Sequence, residues 1–168
     1  ENYIGALKLK NRITMSAMDL GFCNDGAIND KFIDFYEERA RGGVGMIVIG
    51  GCYPEYRGRV WKSIIAIDKD EYIPGLKRFA NTMHKYDTKV AAQILHGGRS
   101  AASFFTKSKS VSASEIPHAL IKEIPHALTV DEIKEVIQTY VDAAIRLKEA
   151  GFDAVEIHGG MGYLINQF

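Results

Sequence analysis

Near the end of the chain His158, Gly159, Gly160, Met161, Gly162 and Tyr163 follow directly on a short run of strand-forming residues, Asp153-Ala154-Val155-Glu156-Ile157. An imidazole can donate to an oxygen that is gaining negative charge. A phenol with an ordinary pKa of about 10 stays protonated at neutral pH and can act as an acid. The same run also reads as a glycine-rich turn with a buried tyrosine. In parallel α/β architectures ligands bind beyond the carboxyl ends of the strands, which is where this sequence puts the imidazole and the phenol.

Three other segments offer comparable groups at expected strand ends: Ala17-Met18-Asp19, Gly50-Gly51-Cys52, and Gln93 followed by His96-Gly97-Gly98-Arg99. The lack of bulk at Gly50 and Gly51 would let a flat ligand lie against the strand. A buried amide at Gln93 both donates and accepts, so it can read a ring edge with adjacent carbonyl and N–H groups, as on the pyrimidine side of an isoalloxazine. Taken singly, Gln93 could equally pair with backbone, and the glycines could serve packing.

The elements that must position these groups alternate. Tyr3 to Lys10 reads as a small hairpin or edge strand, and Arg12 to Met18 as the first buried strand. Asn29-Asp30 starts a helix that runs to Arg41 and stops at Gly42-Gly43, with Phe32, Phe35, Tyr36 and Ala40 on one face. Val44 to Gly50 is a continuous apolar run, the pattern of a parallel strand covered on both faces. Asp70 to Tyr86 is an amphipathic helix with Pro74 in its first turn, and Lys89 to Leu95 is the third strand.

His96 to Leu128 then shows little periodicity, far beyond a usual strand-to-helix connection of about 2 to 6 residues. Ile-Pro-His-Ala-Leu occurs there twice, at 116–120 and 124–128, and His118 and His126 read as solvated loop residues. Thr129 and Glu132 make a capping box for a helix ending at Gly151, with Ile133, Val136, Ile137, Tyr140, Ala144 and Leu147 inward. The fourth strand follows it. A hairpin plus four parallel strands with intervening helices fits a (β/α)8 barrel, of which this chain is the first half, or an open doubly wound sheet. No glycine fingerprint supports the open sheet, since Ile165 stands where Gly160-x-Gly162 would need a third glycine.

The 168 residues carry 21 basic and 21 acidic side chains with no long block of one sign, so neither nucleic acid nor an anionic membrane is indicated as a partner. Cys23 and Cys52 form no CxxC pattern, which fits a reducing cytoplasm. No apolar run reaches the length of a membrane span.

The segments LKNRITMSAM, QILHGGR and GFDAVEIHGGMGYLINQF, with the glycine-bearing end of the second strand, closely resemble the old yellow enzyme family of FMN-dependent ene-reductases, over essentially the whole chain. The chain looks most like the branch with 2-enoate and 2,4-dienoyl-CoA reductases. The resemblance implies that residues 1–168 are the N-terminal half of one FMN-binding barrel domain. It implies that Ala17, Met18 and Gly50 line the flavin, that Gln93 reads its pyrimidine edge, that His158 binds the substrate oxygen, and that Tyr163 is the proton donor. It further implies NADH or NADPH as reductant and a small alkene as substrate. An iron–sulfur cluster and FAD would belong to a C-terminal part, and the chain is expected to associate with that missing half or with another copy.

Two departures stand out. Met161 occupies a position where many members carry a second His or Asn donor, and Asp19 stands near the flavin, where a carboxylate would either oppose an anionic reduced ring or cap a turn. The competing readings are a metal-assisted barrel enzyme with His96 and His158 as ligands, and a non-catalytic half-barrel module.

Overall fold

The computed structural model describes residues 2–168. A hairpin of β1 (Asn2–Ile4) and β2 (Leu7–Leu9) comes first, then β3 (Thr14–Met15), α1 (Asp30–Arg41), β4 (Met46–Tyr53), β5 (Ile65–Ala66), α2 (Ile73–His84) and β6 (Lys89–Ile94). The long excursion holds α3 (Ser103–Thr106), β7 (Val111–Ser112) and β8 (His126–Ala127), and α4 (Val130–Glu149) and β9 (Ala154–Ile157) complete the order. The main sheet runs β3-β4-β6-β9 with every pairing parallel, and β5 pairs with the far end of β4. That order is strictly sequential. A doubly wound sheet reverses direction at a switch point, whereas a barrel adds each new strand beside the last.

Local chemistry accounts for the helices. The Asn29 side chain accepts from the Phe32 amide to cap α1. Thr129 and Glu132 form the reciprocal capping box that starts α4. These helices and α2 cover one face of the sheet, where Phe32, Tyr36, Leu76, Phe79, Met83 and Leu147 pack on Ile47, Ile49, Val90, Ala92 and Ile94. Alternation along the strands sends Met46, Val48 and Ala91 to the opposite, inner face, where Leu9 of the hairpin packs on them. Further along the same face come Gly50, Gln93 and Glu156.

Several sequence expectations are revised. The first strand is much shorter than Arg12–Met18, with only Thr14 and Met15 in register with Met46 and Ile47. The second continues through Tyr53, so Gly50 and Gly51 lie inside it, at an irregularity between Ile49 and Cys52 in its pairing with β6. That extension gives β5 its partner, with Cys52 opposite Ile65. Ile137 is 58% exposed instead of inward. It borders an apolar groove shared with Leu128, Val136, Leu164, Ile165 and Phe168. His126 is no free loop residue. It pairs β8 with β7 through backbone, and its Nε2 meets Glu132 Oε1 at 2.8 Å. His118 accepts at Nδ1 from the amides of Leu120 and Ile121, which fixes a turn. Among the described residues no helix is long and apolar enough to cross a membrane.

Candidate active site

Three of the expected ring-lining residues meet at the top of the inner face. A Cβ built on Gly50 would lie 2.7 Å from Gln93 Cβ and 3.4 Å from Ala17 Cβ, so Gly50 on β4, Gln93 on β6 and Ala17 just beyond the end of β3 are immediate neighbours. Met18 beside them is 43% exposed. Gln93 is half-buried and more constrained than the sequence suggested. Its Nε2 donates to Glu156 Oε1 at 2.6 Å, between residues in direct register on β6 and β9. One amide hydrogen is thereby committed, while the carbonyl oxygen and the second N–H take no part in that bond.

His158 and Tyr163 also come together. Their rings pack edge to face with centroids 5.1 Å apart. His158 Nδ1 accepts from the Gly160 amide at 3.4 Å, which puts the ring proton on Nε2 and makes that nitrogen a donor. Burial raises the Tyr163 pKa, and the Asp19 carboxylate raises it further. The phenol is thus held protonated at neutral pH, the state a proton donor requires. Asp19 itself caps a turn, with Oδ1 accepting from the Gly21 amide at 3.1 Å.

His96 has a different job from the ligand role considered for it. Its Nδ1 accepts from the Gly98 amide at 3.0 Å and its Nε2 meets Glu55 Oε1 at 2.8 Å, so neither nitrogen is free to join His158 on a metal. Burial pushes the Glu55 carboxyl up, but hydrogen bonds from His96 and Arg57 outweigh it and hold the group below its ordinary range. The His96 carbonyl accepts from the Leu164 amide at 3.0 Å, which ties the segment after Tyr163 to the end of β6.

Residues 3–168 match the model of the NADH:flavin oxidoreductase / NADH oxidase family. The chain belongs to that family. It is 44% identical over 165 residues to a metal reductase of Desulforamulus reducens, covering 98% of this chain and 25% of that protein. It is 40% identical over 171 residues to an NADH oxidase of Thermoanaerobacter brockii, covering 100% of this chain and 26% of that protein. A solved 2-naphthoyl-CoA reductase, in complex with 2-naphthoyl-CoA, superposes with a TM-score of 0.91 at 27% identity, covering 98% of this chain and 27% of that one. The chain therefore spans about a quarter of the length of these relatives, and its fold is the N-terminal half of an old yellow enzyme (β/α)8 barrel. The family's flavin is FMN.

The polar group present suits such a ring. Gly50 lets Ala17 and Gln93 close in on β4, and the amide of Gln93 is oriented by Glu156 instead of turning freely. Glu156 escaped the sequence reading. The one signal it gave was an acid inside an otherwise apolar strand. Arg59 escaped it too. Its side chain is 3% exposed, pairs with Asp25 at 2.5 Å, and donates from Nε to the Trp61 carbonyl at 2.9 Å.

Proposed function

We propose that this chain carries the ring-binding and substrate-protonating part of an FMN-dependent NAD(P)H oxidoreductase that reduces an activated C=C bond in an enoate, enone or enoyl thioester, as in the 2-enoate and dienoyl-CoA reductase branch. The observation that carries the reading is the His158–Tyr163 pair, one ring with a fixed N–H donor and the other a phenol kept protonated, 5.1 Å apart. Residues 1–168 are in this reading the N-terminal half of a single FMN-binding domain. Ala17, Met18 and Gly50 line the ring and Gln93 reads its pyrimidine edge.

FMN held by these residues would supply, once reduced by NADH or NADPH, the hydride that the β-carbon of the alkene takes up. His158 donates from Nε2 to the substrate's carbonyl or carboxylate oxygen and takes up the charge developing there. Loss of such a donor typically costs about 10² to 10³ in rate. Tyr163 gives the phenolic proton to the α-carbon. Met161 can donate nothing, so within this chain the oxygen rests on His158. An iron–sulfur cluster and FAD, where the full-length protein has them, belong outside these residues, as does the grip on the FMN phosphate. The apolar groove along α4 and the edge residues Val155 and Ile157 are then covered by the other half of the barrel or by a second copy. Buried thiols at Cys23 and Cys52 suit a reducing cytoplasm.

The test is Tyr163→Phe in the full-length protein. Flavin reduction by NAD(P)H should stay nearly intact while alkene reduction slows by at least about 10², as for a lost general acid. Unchanged alkene turnover would remove Tyr163 from the mechanism.

A further inference from the structure

Tyr163 stands on a turn that local preference does not select. Met161 and Gly162 before it both lie in the left-handed region, at φ 56° and 75°, which is costly for a residue with a methionine side chain. A short helical turn, Leu164–Gln167, follows the tyrosine, and from its end the Gln167 side chain reaches back. Its Nε2 donates to the Gly162 carbonyl at 2.7 Å and to the Gly97 carbonyl at 3.3 Å, while its Oε1 accepts from the Arg99 amide at 3.2 Å. We propose that Gln167 is a positioning residue for Tyr163: it clamps the turn that carries the phenol onto the His96-Gly97-Gly98-Arg99 turn after β6, and so fixes where the proton donor stands. The proposal rests on the reading of Tyr163 as proton donor and adds the group that aims it.

Three observations carry it. The first is that the amide is used in full and in one orientation. Both donor hydrogens go to carbonyls and the oxygen takes a backbone N–H, whereas an exchange of nitrogen and oxygen would set oxygen against two carbonyls. A carboxylate or an apolar side chain of this length cannot make the same three bonds. The second is the seat. A Cβ built on Gly98, at φ 59°, would lie 2.6 Å from Gln167 Nε2, so the amide rests on the bare face of that glycine. The third is the anchor. The His96 ring, fully buried, accepts from the Gly98 amide at 3.0 Å and meets Glu55 Oε1 at 2.8 Å, and the Gly97 amide donates to the Gly58 carbonyl at 2.8 Å. Gln167 therefore grips a turn that is itself fixed. Gly162 is held on its other side as well, its amide donating to Asn166 Oδ1 at 2.9 Å, so the peptide unit next to Tyr163 is tied at both ends.

The experiment uses the full-length, FMN-loaded protein labelled with meta-fluorotyrosine, in which the fluorine NMR resonance of Tyr163 is the one that Tyr163→Phe removes. Two variants release the clamp by different routes. Gln167→Met keeps the length of the side chain without its amide, and Gly98→Ala displaces the amide from its seat. Each should move the Tyr163 resonance. Each should also slow alkene reduction by about tenfold or more, since a reacting group misplaced by about 1 Å can cost about 10² in rate, while flavin reduction by NAD(P)H continues and shows the variant to be folded. On a Tyr163→Phe background neither variant should slow alkene reduction further, because no phenol is left to aim. A Tyr163 resonance unmoved in both variants would overturn the clamp. Where Tyr163→Phe itself slows alkene reduction, losses from the two variants that simply add to it would overturn the clamp as well. A resonance that moves, with alkene turnover unchanged in Tyr163→Phe, would instead overturn the proton-donor reading and leave the clamp standing.

Discussion

Replacing Gly50 by Ala tests whether the floor of the site is as tightly built as its geometry implies. The added Cβ would sit 2.7 Å from Gln93 Cβ, 3.3 Å from the Gln93 carbonyl oxygen and 3.4 Å from Ala17 Cβ. Optimal carbon–carbon separation is about 3.5–4.0 Å, so the first contact is short by roughly 1 Å. Neither neighbour can rotate away, because a Cβ moves only with its backbone. β4 and β6 must therefore part locally, and overpacking of this kind costs about 1–3 kcal/mol. Gly75 provides the control. It lies in α2 with nothing closer than the Ile28 carbonyl oxygen at 3.7 Å, so Gly75→Ala should gain up to about 1 kcal/mol from reduced backbone freedom. Urea unfolding of both variants measures the difference. FMN titration of the full-length Gly50→Ala protein then reports whether Gln93 has moved off the ring, since one lost hydrogen bond of about 1 kcal/mol weakens binding roughly fivefold. The clash is with Gln93 Cβ, so Gln93→Gly should partly relieve Gly50→Ala whereas Gln93→Ala should not. Wild-type stability in Gly50→Ala would refute the packing argument. Lost stability with unchanged FMN affinity would refute the placement of the flavin.

Gln93→Leu keeps the approximate size but leaves polar groups of the ring and Glu156 unpaired, and should weaken FMN binding by about 1–3 kcal/mol; equal affinity in a fluorescence titration counts against the assignment. Thr129→Ala removes one half of the α4 capping box and should cost about 1 kcal/mol in denaturant unfolding, with no loss marking the cap as unimportant. The Glu132 carboxyl is held down to about 2 by the Thr129 backbone N–H, then by His126 and the Thr129 hydroxyl. A depressed carboxyl stabilises above its unfolded value of about 4.5, and that contribution is lost as pH falls through the folded one. The stability gap between wild type and Glu132→Gln should thus shrink from pH 5 to pH 2, and a gap constant with pH would contradict the bond. The 168-residue chain alone leaves Val155, Ile157, Ile165 and Phe168 exposed, so light scattering should find it associated; a clean monomer that keeps stoichiometric FMN through desalting would contradict the half-barrel reading.

What was legible in the sequence follows from what is local. Asn29, the Gly42-Gly43 stop and the Thr129–Glu132 box mark helix ends through bonds spanning three or four residues, and the structure places α1 and α4 within a residue of those signals. Strand ends are set by partners far away. Ile65 and Ala66 become a strand only because β4 runs on past Gly51 to meet them. Ile13 passes no further into a ladder than its carbonyl, which accepts from the Gly45 and Met46 amides, and the first strand is accordingly short. The site divides in the same way. His158 and Tyr163 are close in sequence and their relation could be read there. The Gln93–Glu156 bond joins residues 63 apart and depends on the register of β6 against β9, which no local pattern encodes.

That register also explains why polar side chains gather at one end of the sheet. On the inner face Leu9, Met46, Val48 and Ala91 form an apolar layer, and the hairpin residue Leu9 closes it from below. One step further along the strands the face changes to a bare glycine, an amide and a carboxylate, at Gly50, Gln93 and Glu156. These polar groups sit where the face opens to solvent, and the bond to Glu156 fixes the orientation of the half-buried Gln93 amide. Its remaining N–H and its carbonyl oxygen take no part in that bond. The glycine and the amide thus belong to one arrangement: Gly50 lets β4 and β6 approach closely at this height, and the Gln93–Glu156 bond holds the amide in one orientation.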